Sequence, residues 1–114
     1  MVDYHSAMRE ALITILPTYY ESELKSGLAT PCISYMENNN YTHIDGDTIA
    51  YSFISYTVKV WGNSIKELQQ TALAIDAVLR PLGFKRTASG ELFDKNSTMK
   101  QKILTYEALA KEEY

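Results

Sequence analysis

The chain has 114 residues, 46% of them apolar, and a formal charge of −3. That length predicts one domain, 1–114, with enough apolar mass for a core that needs no disulfide. The mild acidity excludes a broad basic face for nucleic-acid backbones, and no run approaches the roughly 20 apolar residues of a membrane-spanning helix.

Cys32 is the single cysteine. It therefore forms no intrachain disulfide or cysteine-based zinc site, and the chain fits a reducing compartment. The opening MVDYHSAMREAL does not read as a signal peptide, because an acidic residue and a histidine precede any apolar run.

Asp3 or Ser6 is placed to cap a first helix, running roughly from Tyr4 to Leu16. Ala7, Ala11 and Ile15, with Met8 and Leu12 beside them, form its apolar side, and Pro17 stops it. Tyr19 to Leu28 is less regular, and Gly27 reads as a turn. Pro31 to Met36 alternates as a short strand. Asn38-Asn39-Asn40 and Asp45-Gly46-Asp47 have turn chemistry. Met36 to Thr48 is therefore expected to be a long hairpin connection with partial strand character.

Ile49 to Trp61 is the longest strand signal. Ile54, Tyr56, Val58 and Val60 alternate with Ser55, Thr57 and Lys59, which predicts one buried face. Tyr51, Phe53 and Trp61 lie on the second face. Gly62 and Asn63 turn the chain, and Ser64 with Glu67 forms a capping box. Ile65, Leu68, Ala72, Ile75, Leu79 and Leu82 then make one helical stripe, which predicts a core helix lying on a sheet. Pro81 and Gly83 end it.

Phe84 to Thr87 reads as a short strand, Ser89-Gly90 as a tight turn, and Glu91 to Asp94 as its antiparallel return. Lys95 to Ser97 is a polar loop. Thr98 to Tyr106 is the last strand, and 107–114 is a charged tail that frays or forms a helical turn. The expected fold is α+β. Two main helices pack on a largely antiparallel sheet, in the order α-β-β-α-β-β.

No enzyme constellation emerges. His5 and His43 have no carboxylate or cysteine at useful spacing and read as solvated. Cys32 reads as a small buried side chain. Asp45-Gly46-Asp47 lacks the further ligands of a calcium loop. The chain has no phosphate-binding glycine loop and no nucleophile elbow. Lys85, Arg86, Lys95, Lys100 and Lys102 form a modest basic cluster. Nucleic-acid binding would interleave it with exposed aromatics, whereas Phe84 and Phe93 read more simply as core. No metal or cofactor is expected.

Tyrosine is abundant, with nine residues, and it is enriched where proteins meet. Together with Phe53 and Trp61 on the second face of the long strand, this leaves two readings. Either the chain's own helices and loops cover both faces of the sheet, or a neighbour covers one.

The run ISYTVKVWGNSIKELQQTALAIDAVLRPLGFKR, from Ile54 to Arg86, precedes a polar turn and a final strand ending Ile103–Tyr106. In this it resembles the tail terminator (tail completion) proteins of long-tailed bacteriophages. Their pattern is a first helix, a proline entering a strand, a long strand ending in an aromatic, a helix with a central aspartate, then Gly-Phe and antiparallel strands. Met1–Pro17, Pro31–Tyr35, Asp76 and Gly83-Phe84 fit that order. Met36–Thr48 and Tyr19–Leu28 carry no part of it.

The resemblance implies a virion structural protein, not an enzyme. Such proteins form a ring, typically hexameric, at the head-proximal end of the tail tube. They stop tube polymerisation and present a docking surface to the head connector. The implied partners are other copies of the chain, the tail tube protein and the head connector or completion protein. DNA would pass through the lumen without specific binding, and assembly would take place in the host bacterial cytoplasm. Subunits are expected to meet along the second face of the long strand, at Tyr51, Phe53, Ser55, Thr57 and Trp61. The preceding connection is expected to contribute Asn39, Tyr41, Asp45 and Asp47. The alternatives are another head–tail joining (neck) protein, or a small monomeric binding module unrelated to virions.

Overall fold

The computed structural model describes residues 3–24, 29–45, 49–93 and 99–113, with side chains described except at 43–45, 49–50, 93 and 111–113. The turn assigned to Gly27, residue Asp47, the loop Lys95–Ser97 and Tyr114 lie outside the described residues.

Helix α1 spans His5–Ile13 and ends three residues earlier than expected. Neither Asp3 nor Ser6 is its N-cap. Tyr4 holds that position with no side-chain cap, while Asp3 Oδ1 accepts from the His5 N–H at 2.9 Å. The short strand β1, Thr18–Tyr20, follows and runs parallel to β2. Three residues carry too little periodicity to announce a strand, so the sequence reading passed it over.

β2 spans Cys32–Asp45 and β3 spans Ile49–Gly62, 14 residues each. They pair antiparallel from Cys32↔Trp61 to Asp45↔Ile49. The long connection expected over Met36–Thr48 is thus strand as far as Asp45. The asparagine run does not turn the chain, because a β-bulge between Glu37 and Asn39 absorbs it. The Asn38 side chain Nδ2 donates to Ser55 Oγ at 3.2 Å and to Thr57 Oγ1 at 2.8 Å. These bonds hold the extra residue against the neighbouring strand.

α2 spans Ile65–Leu79. Ser64 Oγ accepts from the Glu67 N–H, as the capping signal predicts. Leu68, Ala72, Ile75 and Leu79 are buried, but Ile65, the first residue of the expected stripe, is 49% exposed. A single helical turn, Arg80–Leu82, prolongs the helix to Gly83, whose φ of 93° places it in the left-handed region that favours glycine.

β4 (Lys85–Phe93) and β5 (Lys100–Glu113) complete the sheet, in the order β1-β2-β3-β5-β4. Two expectations are corrected here. Ser89-Gly90 lies inside one continuous strand, because a bulge between Arg86 and Ala88 takes up the irregularity. The segment 107–113 is no frayed tail, since β5 pairs with β3 as far as Ile49↔Glu113.

The fold is α+β, with both helices against one face of a largely antiparallel sheet. Met8 and Leu12 of α1 and the α2 stripe pack on Ile33, Tyr35, Ile54, Tyr56, Val58, Val60, Leu104 and Tyr106. Burial of such side chains stabilises the fold by about 1.5–3 kcal/mol each. The helices reach only part of the sheet's length. The ends of β2, β3 and β5 run past them as a three-stranded arm, and the molecule measures 54 × 25 × 24 Å. Its radius of gyration, 15.5 Å, exceeds the roughly 13 Å of a compact chain of this length.

Candidate assembly surface

The sheet face away from the helices is the candidate surface. Side chains alternate across a strand, and an inserted residue switches that alternation to the other face. Before the bulge, Ile33, Tyr35 and Glu37 share register rows with the helix-side residues Val60, Val58 and Tyr56. After it, Asn39 and Tyr41 share rows with Ser55 and Phe53, on the open side. The bulge at Asn38 thereby carries Tyr41 to the face that bears Phe53.

There the two rings stack, with centroids 5.2 Å apart and planes 19° from parallel. Leu109 is the next residue in the same row, opposite Phe53 on β5. Tyr41, Phe53 and Leu109 are 56%, 39% and 57% exposed. Three large apolar side chains thus cross the arm side by side in water. A shallow hollow of about 100 Å³ flanks the row, lined by Asn39, Ser55 and Glu107 among others.

The residues expected to form one interface separate into three groups. Asn39, Tyr41 and Phe53 come together on the arm, with Tyr51 one open-face position further out on β3. Ser55 and Thr57 lie on the same face but are engaged by the Asn38 amide, and Ser55 is buried. Trp61 stands eight residues from Phe53 along β3, about 27 Å at the usual strand rise. It is half-buried, and its Nε1–H donates to Ser34 Oγ at 3.0 Å. Asp45 ends β2, but its side chain, like Asp47, lies outside what is described.

Leu109 escaped the sequence reading because it was assigned to a tail. The signal was present, since Ala108 and Ala110 continue the alternation of β5, and Ala108 is buried.

The other polar groups are largely accounted for. Lys59 Nζ meets Glu21 Oε1 at 3.1 Å on the open face. Lys102 is buried and meets Glu91 at 3.0 Å on the helix side, and Lys100 donates to the Asn63 carbonyl. The expected basic cluster is therefore dispersed, and Lys95 lies outside the described residues. His5 is not simply solvated. Its ring packs on Tyr20 and Tyr56, and its Nε2 lies 3.9 Å from Glu37. Cys32 is buried, and burial pushes its thiol pKa up. Phe84 is in the core.

The sequence reading also passed over the role of Asp76. Its carboxylate accepts from the Tyr106 hydroxyl through Oδ1, and Arg86 lies 3.4 Å from Oδ2. Among the described residues, no three His, Cys, Asp or Glu side chains gather to hold a metal ion, and no helix is long and apolar enough to cross a membrane.

This architecture is shared with a chain in the virion of a native gene transfer agent particle. The TM-score is 0.57 at 13% identity, over 94% of this chain and 86% of that one. At that identity the likeness is one of fold. No family model and no curated protein matches the sequence.

Proposed function

We propose that the protein is a structural component of a phage-like virion, a tail terminator that assembles as a ring on the head-proximal end of the tail tube. It would stop tube growth there and offer its other side to the head connector. The observation that carries the proposal is the open sheet face with its exposed row Tyr41–Phe53–Leu109 on a projecting arm. A lone chain gains nothing from holding these side chains in water, whereas burial between subunits rewards it. The sequence resemblance and the shared fold of a virion chain support the same reading.

The mechanism is steric. A ring whose tube-facing and head-facing sides differ accepts the last tube layer and denies the next one a docking surface. Ring closure needs a heterologous contact between subunits. The reading requires no cofactor and no catalysis. DNA would cross the lumen without specific contacts.

Native mass spectrometry of the purified protein, alone and with candidate tail tube protein, tests this. A closed ring, in solution or only on tube ends, is the expected result. A neck adaptor would instead form a ring that ignores tubes. A monomer indifferent to tubes would reject the assembly reading.

A further inference from the structure

The sheet order leaves one long edge open. β4 is the outermost strand, and among the described residues it pairs only with β5. Every residue from Lys85 to Leu92 is exposed. An edge strand of nine residues offers a row of backbone donors and acceptors to any chain that can pair with it. Charge does little to guard this edge. Arg86 turns to Asp76 and Glu91 to Lys102 within the subunit, and Thr87 to Gly90 between them carry no charge.

A second open edge lies on the opposite side of the sheet. β1 covers β2 along Ile33–Tyr35 alone. Over Asn39–Asp45, β3 is therefore the one strand beside β2 among the described residues.

The directions of the two edges match. β2, β3, β5 and β4 alternate antiparallel, so β4 runs opposite to β2. Rotation about a ring axis preserves each strand's direction along that axis. β4 of one copy therefore meets β2 of the next already antiparallel. The levels differ, because Ser89 shares a row with Tyr35 through Leu104 and Val58, and the open stretch of β2 begins past that row. Joining the edges staggers successive copies along the strands, and a sheet that closes on itself needs such a stagger.

We propose that β4 of one copy pairs with β2 of the next copy, from Asn39 onward, so that one sheet runs from subunit to subunit. The inference rests on the ring reading and specifies its contact. The two edges are different surfaces, so each contact leaves one of each free, which is the condition for a head-to-tail ring. A two-fold pairing of β4 with β4 would use one edge twice and stop at a dimer. The joint adjoins the aromatic row. Tyr41 lies on β2, and Leu92 of the neighbouring β4, itself 55% exposed, comes to share its open face.

Hydrogen exchange with mass spectrometry tests this, comparing rings, free or on tube ends, with dilute unassembled protein. Exchange should slow by roughly tenfold or more in both β4 and the Asn39–Thr42 stretch on assembly, and stay unchanged in α2. A proline variant provides a second readout. Neighbouring strand residues turn their N–H groups to opposite edges, so one of Ser89→Pro and Gly90→Pro blocks the outer edge and spares the β5 ladder. Circular dichroism identifies the folded one. By sedimentation velocity it should need roughly tenfold more protein than the wild type to assemble.

If the wild type forms rings without slowing exchange in β4, the pairing inference is wrong and the ring reading stands. The same holds if β4 is protected and Asn39–Thr42 is not, or if both proline variants fold and assemble normally. If the wild type stays monomeric both alone and with tubes, the ring reading fails and the inference falls with it.

Discussion

Two buried tyrosines show how one hydroxyl can matter and another not. Tyr56 and Tyr106 are each almost wholly inaccessible. The Tyr106 hydroxyl donates to Asp76, while that of Tyr56 finds no partner among the described residues. Tyr106→Phe should cost about 1.5–3 kcal/mol, the worth of a bond to a charged group, whereas Tyr56→Phe should leave stability unchanged or raise it. Chemical denaturation at neutral pH distinguishes the two.

Burial pushes both phenols above their ordinary pKa of 10, and for Tyr106 the Asp76 hydrogen bond and charge push further in the same direction. Above pH 10 the unfolded chain loses these protons first. Stability is therefore whole below pH 10 and falls as pH rises further, by about 1.4 kcal/mol per pH unit for each such tyrosine. Tyr56→Phe should remove about half of that slope.

Among the elements, the bulged strand β2 decides where the candidate surface lies. Deleting Asn38 removes the inserted residue and its bonds to Ser55 and Thr57 but leaves Asn39 opposite Ser55 and Tyr41 opposite Phe53, so the ring stack should survive on the open face. The body of the fold should survive this. The expected outcome is a near-wild-type circular dichroism spectrum with assembly retained, read by sedimentation velocity; lost assembly would show that the surface needs the bulge itself and not only the row Tyr41–Phe53–Leu109.

The same strand marks the limit of what the sequence conveys. Alternation in β3 and the 3–4 spacing of α2 identified the buried Ile54, Tyr56, Val58 and Val60, and Leu68, Ala72, Ile75 and Leu79, because one burial rule applies along each element. Asn38 and Thr87 interrupt that rule by one residue. Composition alone reads such interruptions as turns, at Asn38–Asn40 and Ser89–Gly90. The pairing partners that keep the chain extended are distant in sequence, as with Asn38 and Thr57. Phe53 was legible as an exposed aromatic. Tyr41 was expected at the surface too, but its place beside Phe53 depended on the bulge, and Leu109 depended on the register of β5.

At the scale of the whole molecule, an elongated body with helices on one side presents two unlike faces. A ring built from such subunits can bury the open face of each arm without disturbing the core that holds the subunit together. Phe53→Glu should therefore leave thermal stability within a few degrees of the wild type and weaken assembly by a factor of ten or more, as read by sedimentation velocity. An unfolded variant, or one that assembles normally, would remove Phe53 from the contact.

Trp61 is the sole tryptophan, and it sits at the far end of β3 from the arm, its indole bonded to Ser34. Its ultraviolet emission therefore reports on whether the paired base of β2 and β3 is intact, and is silent about events at Phe53. Unfolding should shift that emission, and an association confined to the Phe53 row should not, so the sole tryptophan serves as an intrinsic optical label for loss of fold.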